Sequence, residues 1–425
     1  MRRVARAGRR PLRRPLVLSA GPRRRRVALV AGPDPGHALP VLGVGAALVA
    51  RGHEARLWTG LGHHRTAARA GIEVEQLPLL APSPDDADIG HRLWTRAGQM
   101  AVPLADQLRS FAPDLVLMDT LTRAGAFAAE LLGLPWIELI PHHLDDPDPA
   151  IPPVGLGRPL ARTPWRRADD RRIVRLQRRS YAVGAQQAAG VAAAIGLPDP
   201  GRPVLRLIGT LPALERPRGQ WPADAHVVGP VAIDPDLPAL VPPEGDAPLV
   251  VVSDSTATGV DRSLGEVALR ALRGLDLRVV ITSGRLPPER RHDVVVGPGP
   301  HVPLLAAARL AVGFGGAGFI GKAVAAGVPL VVVPLQGDQR EGAARLLDVG
   351  AARVLPVRQL TPRRLRWAVV RALADRRLPA AAASLALEAA GLGPQVAADV
   401  VEHVLDGQVP VATGPADHLR AGSPP

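Results

Sequence analysis

Short apolar runs alternate with Ala-rich helical stretches along two long parts of the chain. The runs predicted as strands in the first part are Arg26–Ala31, Ala55–Trp58, Asp114–Met118, Trp136–Ile140 and Val204–Ile208. The helices predicted between and after them lie near Ala38–Arg51, Ala101–Ser110, Ala124–Leu132 and, as a longer Arg-rich stretch expected on the surface, Pro164–Gly196. This alternation is typical of a parallel sheet covered by helices.

The same alternation begins again after a Pro-rich stretch that has no clear period. The strands predicted in this second part are Leu249–Ser253, Arg278–Thr282, Asp293–Val296, Leu310–Gly313, Leu330–Val333 and Ala352–Leu355. We therefore predict an α/β protein with two Rossmann-like, doubly wound domains that face each other across a cleft. The predicted division is a basic disordered tail (1–24), a first domain (25–228), a linker (229–247), a second domain (248–408) and a disordered tail (409–425).

Composition and charge exclude several other kinds of protein. The chain of 425 residues has no cysteine, which excludes disulfides and a cysteine nucleophile and fits a cytoplasmic protein. The net charge is +13, but residues 1–26 hold eleven arginines and no acid, so about +2 remains for the rest. We therefore expect no nucleic-acid binding beyond non-specific contact by this tail. No apolar run is long enough to predict a membrane span.

His37 is a candidate general base because it follows the first predicted strand, at the start of a helix. A strand of a doubly wound sheet carries its ligand-binding loop at the carboxyl end, so His37 is expected at the mouth of the cleft. The positive end of the helix dipole disfavours an imidazolium, and we expect His37 to be neutral near pH 7. A neutral histidine can accept a proton from an alcohol. A surface histidine that caps the turn is the alternative.

Asp119 ends the strand Asp114–Met118 of the same predicted sheet. A carboxylate at that edge can orient the His37 imidazole and stabilise its protonated form. The alternative is an aspartate that caps the following helix, and the two roles are compatible.

Polar residues and glycines follow three strands of the second part. Gly315, Gly316 and Gly318 form a strand-to-helix turn at which backbone amides can approach a phosphate, although tight packing explains such a turn equally well. Asp338 and Gln339 follow the next strand and are suitable partners for sugar hydroxyls. Ser255 and Thr256 follow the first strand and can donate to a diphosphate, with simple turn chemistry as the alternative.

Several segments of the chain together resemble the inverting UDP-sugar and dTDP-sugar glycosyltransferases of actinobacterial natural-product type. The resemblance spans roughly 25–408 and rests on the G-H-x-x-P start at His37 and on the G-V-P-x-x-x-x-P-x-x-x-D-Q segment that ends at Gln339. It implies a GT-B fold and transfer of a hexose to a hydroxyl of a small, largely apolar acceptor. It also implies that 25–228 is the acceptor-binding domain and 248–408 the nucleotide-sugar-binding domain. It implies His37 as the base, Asp119 as its partner, and Asp338 and Gln339 on the hexose. It implies no metal and no cofactor, with the nucleotide sugar as co-substrate.

Four donor-side positions depart from the family pattern. Phe314 stands where the family usually has a histidine that reaches the diphosphate, and Phe319 where it has a Ser or Thr. Lys322 replaces an acid that often binds the ribose, and we expect it to attract the diphosphate instead. Pro298–Gly299 replaces the aromatic that commonly stacks on the base. These departures leave a second hypothesis open, a catalytically silent relative that binds a ligand or a partner protein.

His142 and His143 follow the strand Trp136–Ile140 and are predicted to line the acceptor pocket. Adjacent histidines diverge, so a metal site with Asp145 and Asp146 is not expected, and loop polarity is the alternative reason for these residues.

Overall fold

The computed structural model describes residues 24–78, 85, 88, 90–254, 263–408 and 410–415. It contains two seven-stranded sheets, one in each part of the chain. All neighbouring strands of the first sheet are parallel, and in the second only the edge strand β10 is antiparallel to its neighbour. Both sheets thus have the doubly wound architecture that the alternation predicts.

The first sheet has the strand order β3-β2-β1-β4-β5-β6-β7, which places the topological switch between β1 and β4. Its strands are β1 (Arg26–Val30), β2 (Glu54–Thr59), β3 (Glu73–Gln76), β4 (Leu115–Asp119), β5 (Trp136–Ile140), β6 (Leu205–Ile208) and β7 (Ala225–Val227). Its helices are α1 (Pro35–Ala50), α2 (His64–Arg69), α3 (Arg96–Phe111), α4 (Ala124–Leu132) and α5 (Pro164–Ala194).

The second sheet has the order β10-β11-β9-β8-β12-β13-β14. Its strands are β8 (Leu249–Ser253), β9 (Arg278–Thr282), β10 (Glu289–Arg290), β11 (Val294–Gly297), β12 (Leu310–Gly313), β13 (Leu330–Val332) and β14 (Ala352–Val354). The helices of this part are α6 (Leu264–Leu272), α7 (Val302–Ala306), α8 (Ala317–Ala325), α9 (Gly337–Asp348), α10 (Pro362–Leu373), α11 (Arg377–Ala389) and α12 (Pro394–Leu405).

The apolar runs predicted as strands coincide with observed strands to within one residue at each end. The pattern did not predict β3, β7 and β10. β3 has the sequence EVEQ and its side chains are mostly exposed, so it carries no apolar signal. β7 and β10 contain three and two residues, too few to show a period.

The last helix, α12, packs on the first domain although the prediction placed 248–408 in the second. Ala397, Ala398 and Val401 are fully buried in the same cluster as Val27 and Leu29 of β1. On the surface, Arg51 after α1 donates to Glu402 at 2.7 Å. The chain therefore crosses back at its end, and α12 belongs structurally to the first sheet.

Residues 229–247, predicted as a linker, contain no helix or strand and run between the two domains. Gly43 of α1 touches this segment so closely that an added Cβ would lie 1.8 Å from the carbonyl oxygen of Val231. α1 also contacts α8 of the second domain. The amino-terminal helix of one domain therefore lies beside the helix that follows the glycine turn of the other.

Candidate functional site

His37 lies in the first turn of α1, directly beyond the carboxyl end of β1. Pro35 begins this helix, where a missing backbone N–H costs nothing. β1 and β4 are adjacent, with Val30 opposite Met118, so the residues that follow both strands meet at one edge. Nδ1 of His37 lies 2.9 Å from Oδ1 of Asp119. The imidazole is a quarter exposed and the carboxylate is 1% exposed, so the pair opens toward the cleft through the histidine only.

Asp119 is fixed by donors that sequence reasoning did not identify. Its Oδ1 accepts a bond from the amide of Leu121 at 2.9 Å, and its Oδ2 accepts one from the amide of Gly32 at 3.0 Å. The Thr122 hydroxyl also donates to Oδ2. Only the contact with His37 is poorly aligned, since Nδ1 has no well-directed hydrogen bond. The carboxylate is therefore held in place by groups other than the imidazole.

The pair shifts the pKa of both groups toward the charged forms. Burial lowers the pKa of His37, but the contact with Asp119 and its negative charge raise it by more, so the net pKa lies above 6.5. Burial raises the pKa of Asp119, but the contact with His37 and the bonds from Thr122 and Leu121 lower it below the usual range. The contact with the buried Asp119 carboxylate thus opposes the effect that the helix dipole was expected to have on the pKa of His37.

The glycine turn of the second domain lies between β12 and α8. Gly315 has φ +87°, and an added Cβ would lie 2.7 Å from the side chain of Val332 and 3.4 Å from the carbonyl oxygen of Gln339. Glycine is therefore required at this position by both conformation and space. Gly316 precedes the helix, which begins at Ala317, and Gly318 lies in its first turn. The first amides of α8 are thus available at the end of the helix that attracts anions.

Asp338 and Gln339 lie in the first turn of α9, beside Gly315. Asp338 is exposed, and its negative charge contributes to raising the pKa of His37. Gln339 is half-buried, and its Oε1 accepts a bond from the amide of Leu335 at 3.1 Å. The negative charge of Asp338 in the second domain therefore favours the protonated form of His37 in the first domain.

A cavity between the two domains contains the two histidines predicted for the acceptor side. Its lining includes His142 and His143 of the first domain and Gly315 and Asp338 of the second, but not His37. Its free space is about 30 Å³, room for one or two water molecules. Burial and then the charge of Arg345 hold the pKa of His143 well below its usual range, so this imidazole is neutral. His142 is half-buried, and its Nδ1 lies 2.8 Å from the carbonyl oxygen of His143.

Buried ion pairs join the domains directly behind this cavity. Arg345 of α9 donates to Glu215 of the first domain at 2.8 Å and to Glu341 at 3.2 Å. Arg216 lies 3.0 Å from Glu341, and the Glu215 carboxylate also accepts the amide of Leu144 at 2.7 Å. Sequence reasoning missed this network, because nothing local marks residues that lie 130 positions apart as partners.

Three of the four donor-side positions that depart from the family pattern have side chains that are packed or paired and do not project freely into the cleft. Phe314 is 5% exposed and Phe319 is 9% exposed, and both belong to hydrophobic clusters. The Lys322 ammonium lies 2.8 Å from Oδ1 of Asp234 and donates to the carbonyl oxygen of Ile233 at 3.0 Å. Lys322 thus anchors the linker to α8, which differs from the expected attraction to a diphosphate.

A half-buried histidine lies beside Phe319. The rings of His301 and Phe319 are 5.0 Å apart, and Nε2 of His301 lies 2.8 Å from the Thr282 hydroxyl. Burial and the charge of Lys322 lower the pKa of His301 to about 4. Its imidazole is therefore neutral and provides one donor and one acceptor at this edge of the sheet.

Three further predictions concern the diphosphate donors, a metal site and a membrane span. Ser255 and Thr256 lie outside the described residues. Within the described ranges, no three His, Asp or Glu side chains come together as metal ligands would. Among the helices of those same ranges, none combines the length and the apolar character needed to cross a bilayer.

Comparisons with known proteins agree with this geometry. Residues 264–405 match the family model of the erythromycin biosynthesis protein CIII-like C-terminal domain. The 4'-demethylrebeccamycin synthase of Lentzea aerocolonigenes is 31% identical, over 89% of this chain and 99% of its own. The glycotransferase of kitacinnamycin shares the fold at 24% identity and a TM-score of 0.71, covering 90% of this chain and 99% of its own. The glycosyltransferase VinC, solved in complex with dTDP, also shares the fold, at 22% identity and a TM-score of 0.64. The match covers 90% of this chain and 100% of that chain. The chain therefore belongs to the natural-product glycosyltransferases with the GT-B fold.

Proposed function

We propose that this protein transfers a hexose from a UDP- or dTDP-sugar to a hydroxyl of a small, largely apolar acceptor, with inversion at the anomeric carbon. The observation that carries the proposal is the pair formed by His37, in the first turn of α1, and Asp119, at the end of β4, with Asp338 across the cleft. A cytoplasmic location, as the cysteine-free composition suggests, fits the same proposal.

The proposed step is a direct displacement. The acceptor oxygen forms a bond to the anomeric carbon while the bond from that carbon to the diphosphate oxygen breaks. The acceptor proton passes to Nε2 of His37, and the bond electrons leave with the diphosphate. Asp119 stabilises the resulting imidazolium from the Nδ1 side, as a buried carboxylate does in hydrolase triads. The raised pKa of His37 suits a base that must keep the proton.

The donor is proposed to lie along the second domain. The first amides of α8, at Gly316 and Gly318, offer donors to the diphosphate. Asp338 and Gln339 are proposed to bind hexose hydroxyls. Ser255 and Thr256 remain predicted diphosphate donors. The VinC complex, in which a relative of the same fold holds dTDP, supports a nucleotide donor of this kind.

The acceptor is proposed to lie against the first domain, near His142 and His143. The space of about 30 Å³ between the domains at this point is too small for either substrate. We therefore propose that the domains separate to admit both substrates and approach again for the transfer, as two-domain enzymes commonly do.

A second candidate function is binding without catalysis. It is favoured by the burial of Phe314 and Phe319 and by the engagement of Lys322 with Asp234, because these residues leave the diphosphate fewer side-chain donors. Each missing bond to a charged group weakens binding by about 1.5–3 kcal/mol.

Calorimetric titration with UDP, dTDP and GDP separates the two candidates. A transferase must bind at least one of these nucleotides. Absence of any binding at millimolar nucleotide would contradict the proposed transfer and favour the silent relative.

If a nucleotide binds, the His37→Ala variant tests the base. Turnover is expected to fall roughly 10²- to 10⁴-fold, with nucleotide affinity nearly unchanged. His292→Ala is the matched control, because this side chain is 92% exposed. Equal turnover in the His37→Ala protein would remove this residue from the mechanism.

A further inference from the structure

The long helix α5 presents apolar side chains to solvent on the side away from the protein. Trp165 is 85% exposed, and Leu176 and Val183 are each 53% exposed, whereas Val174 is 1% exposed. At 100° per residue, the three exposed side chains lie within about 20° of the direction opposite Val174. They form one stripe about 27 Å long on the outer surface of the helix.

The helix α5 as a whole is strongly basic. The helix contains seven arginines and two aspartates, an excess of five positive charges. Both aspartates, Asp169 and Asp170, lie within 2.7 Å of Arg158, which precedes the helix. Arg172 and Arg179 are exposed and lie within about 40° of the apolar stripe, as does Asp169, whose charge Arg158 compensates. The folded body, nearly neutral in total, therefore concentrates positive charge beside exposed apolar groups.

We propose that this outer face of α5, formed by Trp165, Arg172, Leu176, Arg179 and Val183, docks on a membrane surface rich in anionic phospholipid. Tryptophan favours the boundary between headgroups and acyl chains, and arginine stems lie along apolar surface while their guanidinium groups reach phosphates. Interfacial helices combine a basic face with apolar side chains that enter this boundary. Each arginine near an anionic bilayer adds binding energy, and the cytoplasmic leaflet has the required charge.

Other occupants fit this face less well. A second copy of the chain would bring two strongly basic helices together. The chain's own tails do not complement it either, since residues 1–23 contain no acid and residues 416–425 contain one. A nucleic acid would match the arginines but gives no reason for exposed Leu176 and Val183.

The position of α5 relates this surface to the cleft. The helix follows the loop of residues 141–163, which begins at Pro141, beside His142 and His143, and passes over the start of α9. An added Cβ on Gly157 of this loop would lie 2.7 Å from the carbonyl oxygen of Arg340. Docking through α5 would hold the proposed acceptor side near the bilayer, where apolar molecules partition. This consequence rests on the proposed function, whereas the docking itself does not.

Co-sedimentation with vesicles tests the proposal on the full chain. Vesicles of phosphatidylcholine mixed with phosphatidylglycerol should retain the protein at low salt, and pure phosphatidylcholine vesicles should not. Arg172→Gln with Arg179→Gln should weaken partitioning roughly 25-fold. Trp165→Ala with Leu176→Ser, both exposed substitutions, should weaken it several-fold at unchanged charge.

The matched control is Arg358→Gln with Arg376→Gln, two exposed arginines of the second domain. This variant has the same net charge as the α5 arginine variant and should keep wild-type partitioning to within about twofold. All variants retain the eleven arginines of residues 1–26, so equal partitioning of all of them would assign binding to that tail and overturn the proposal. A loss of DNA binding without a loss of vesicle binding, or a shift from dimer to monomer in the α5 variants, would overturn it as well.

Discussion

Oδ1 of Asp119, a carboxylate that is almost fully buried, lies 2.9 Å from Nδ1 of His37. Asp119 raises the pKa of His37, and His37 lowers the pKa of Asp119, so each group favours the charged form of the other. Gly32, Leu121 and Thr122 hold the carboxylate, so its position does not depend on the histidine. The pKa of His37 is therefore set by burial, which lowers it, and by the opposing contact and charge of Asp119.

The first prediction concerns the Asp119→Asn variant. Burial alone lowers the pKa of His37, and the contact and charge of Asp119 raise it. Without the carboxylate, the pKa should fall below that of the wild-type histidine. Because a base must be unprotonated, the acid limb of kcat/KM against pH should move to lower pH. The plateau should drop roughly 10²- to 10⁴-fold, since the imidazolium formed in the reaction loses its counter-ion.

A pH-rate profile of both proteins measures this change. Asp114→Asn is a suitable control, because Asp114 lies at the opposite end of β4 and is exposed. An acid limb at the same pH in wild type and Asp119→Asn would show that another group titrates.

The second prediction concerns the pair Lys322–Asp234, whose side chains are 8% and 16% exposed. Removing one partner leaves a buried charge uncompensated, so Lys322→Met and Asp234→Asn should each lower the free energy of unfolding by about 3 kcal/mol. The double variant should lose less than the sum, because it leaves no unpaired charge.

Denaturant unfolding of the four proteins gives this cycle, and calorimetry gives their nucleotide affinity. The structure predicts nearly unchanged affinity, since the ammonium already has two oxygen partners. A large loss of nucleotide affinity in Lys322→Met at unchanged stability would instead support the role that the sequence suggested for Lys322.

The third prediction concerns Phe314→His, which restores the usual residue of the family. The side chain at this position packs in the core of the second domain and is 5% exposed. A buried imidazole without a partner should cost about 2–4 kcal/mol of stability, and the affinity for UDP or dTDP should not rise. Phe314→Leu is the control for lost volume. Tighter nucleotide binding by Phe314→His would mean that the ring turns toward the cleft.

The fourth prediction compares two glycines of α1. An added Cβ on Gly43 would lie 1.8 Å from the carbonyl oxygen of Val231, so Gly43→Ala should destabilise the protein by about 3 kcal/mol through displacement of the linker. Nothing lies within 4 Å of a Cβ on Gly36, and Gly36→Ala should be neutral or stabilise by about 0.5–1 kcal/mol. Thermal unfolding measures both. Equal melting temperatures would show that the linker is not packed against α1.

The sequence predicted the parts of the site that depend on topology. His37 and Asp119 each follow a buried strand, and adjacent parallel strands bring their carboxyl ends together, so strand recognition was enough to pair them. Asp338 and Gly315 follow the same rule in the second sheet. The proximity of these four residues therefore needed no knowledge of side-chain packing.

The features of the site that the sequence did not predict depend on where side chains point after the domains pack. No local pattern distinguishes a phenylalanine in the cleft from Phe314 in the core, or a lysine that binds phosphate from one that holds the linker at Asp234. Arg345 and Glu215 are similarly far apart along the chain. The sequence indicated both a helix dipole that lowers the pKa of His37 and an Asp119 carboxylate that raises it, but the balance between them depends on the contact distance, which the sequence does not show.

The return of α12 to the first sheet has a consequence for biosynthesis. Ala397 and Val401 belong to the same hydrophobic core as Val27. This core is therefore incomplete until the ribosome has synthesised the second domain and α12. A nascent chain stopped before Pro394 leaves the apolar side of α1 uncovered. The two halves of this enzyme are therefore unsuited to separate expression, and truncation of the last helix should send the polypeptide to chaperones or proteases.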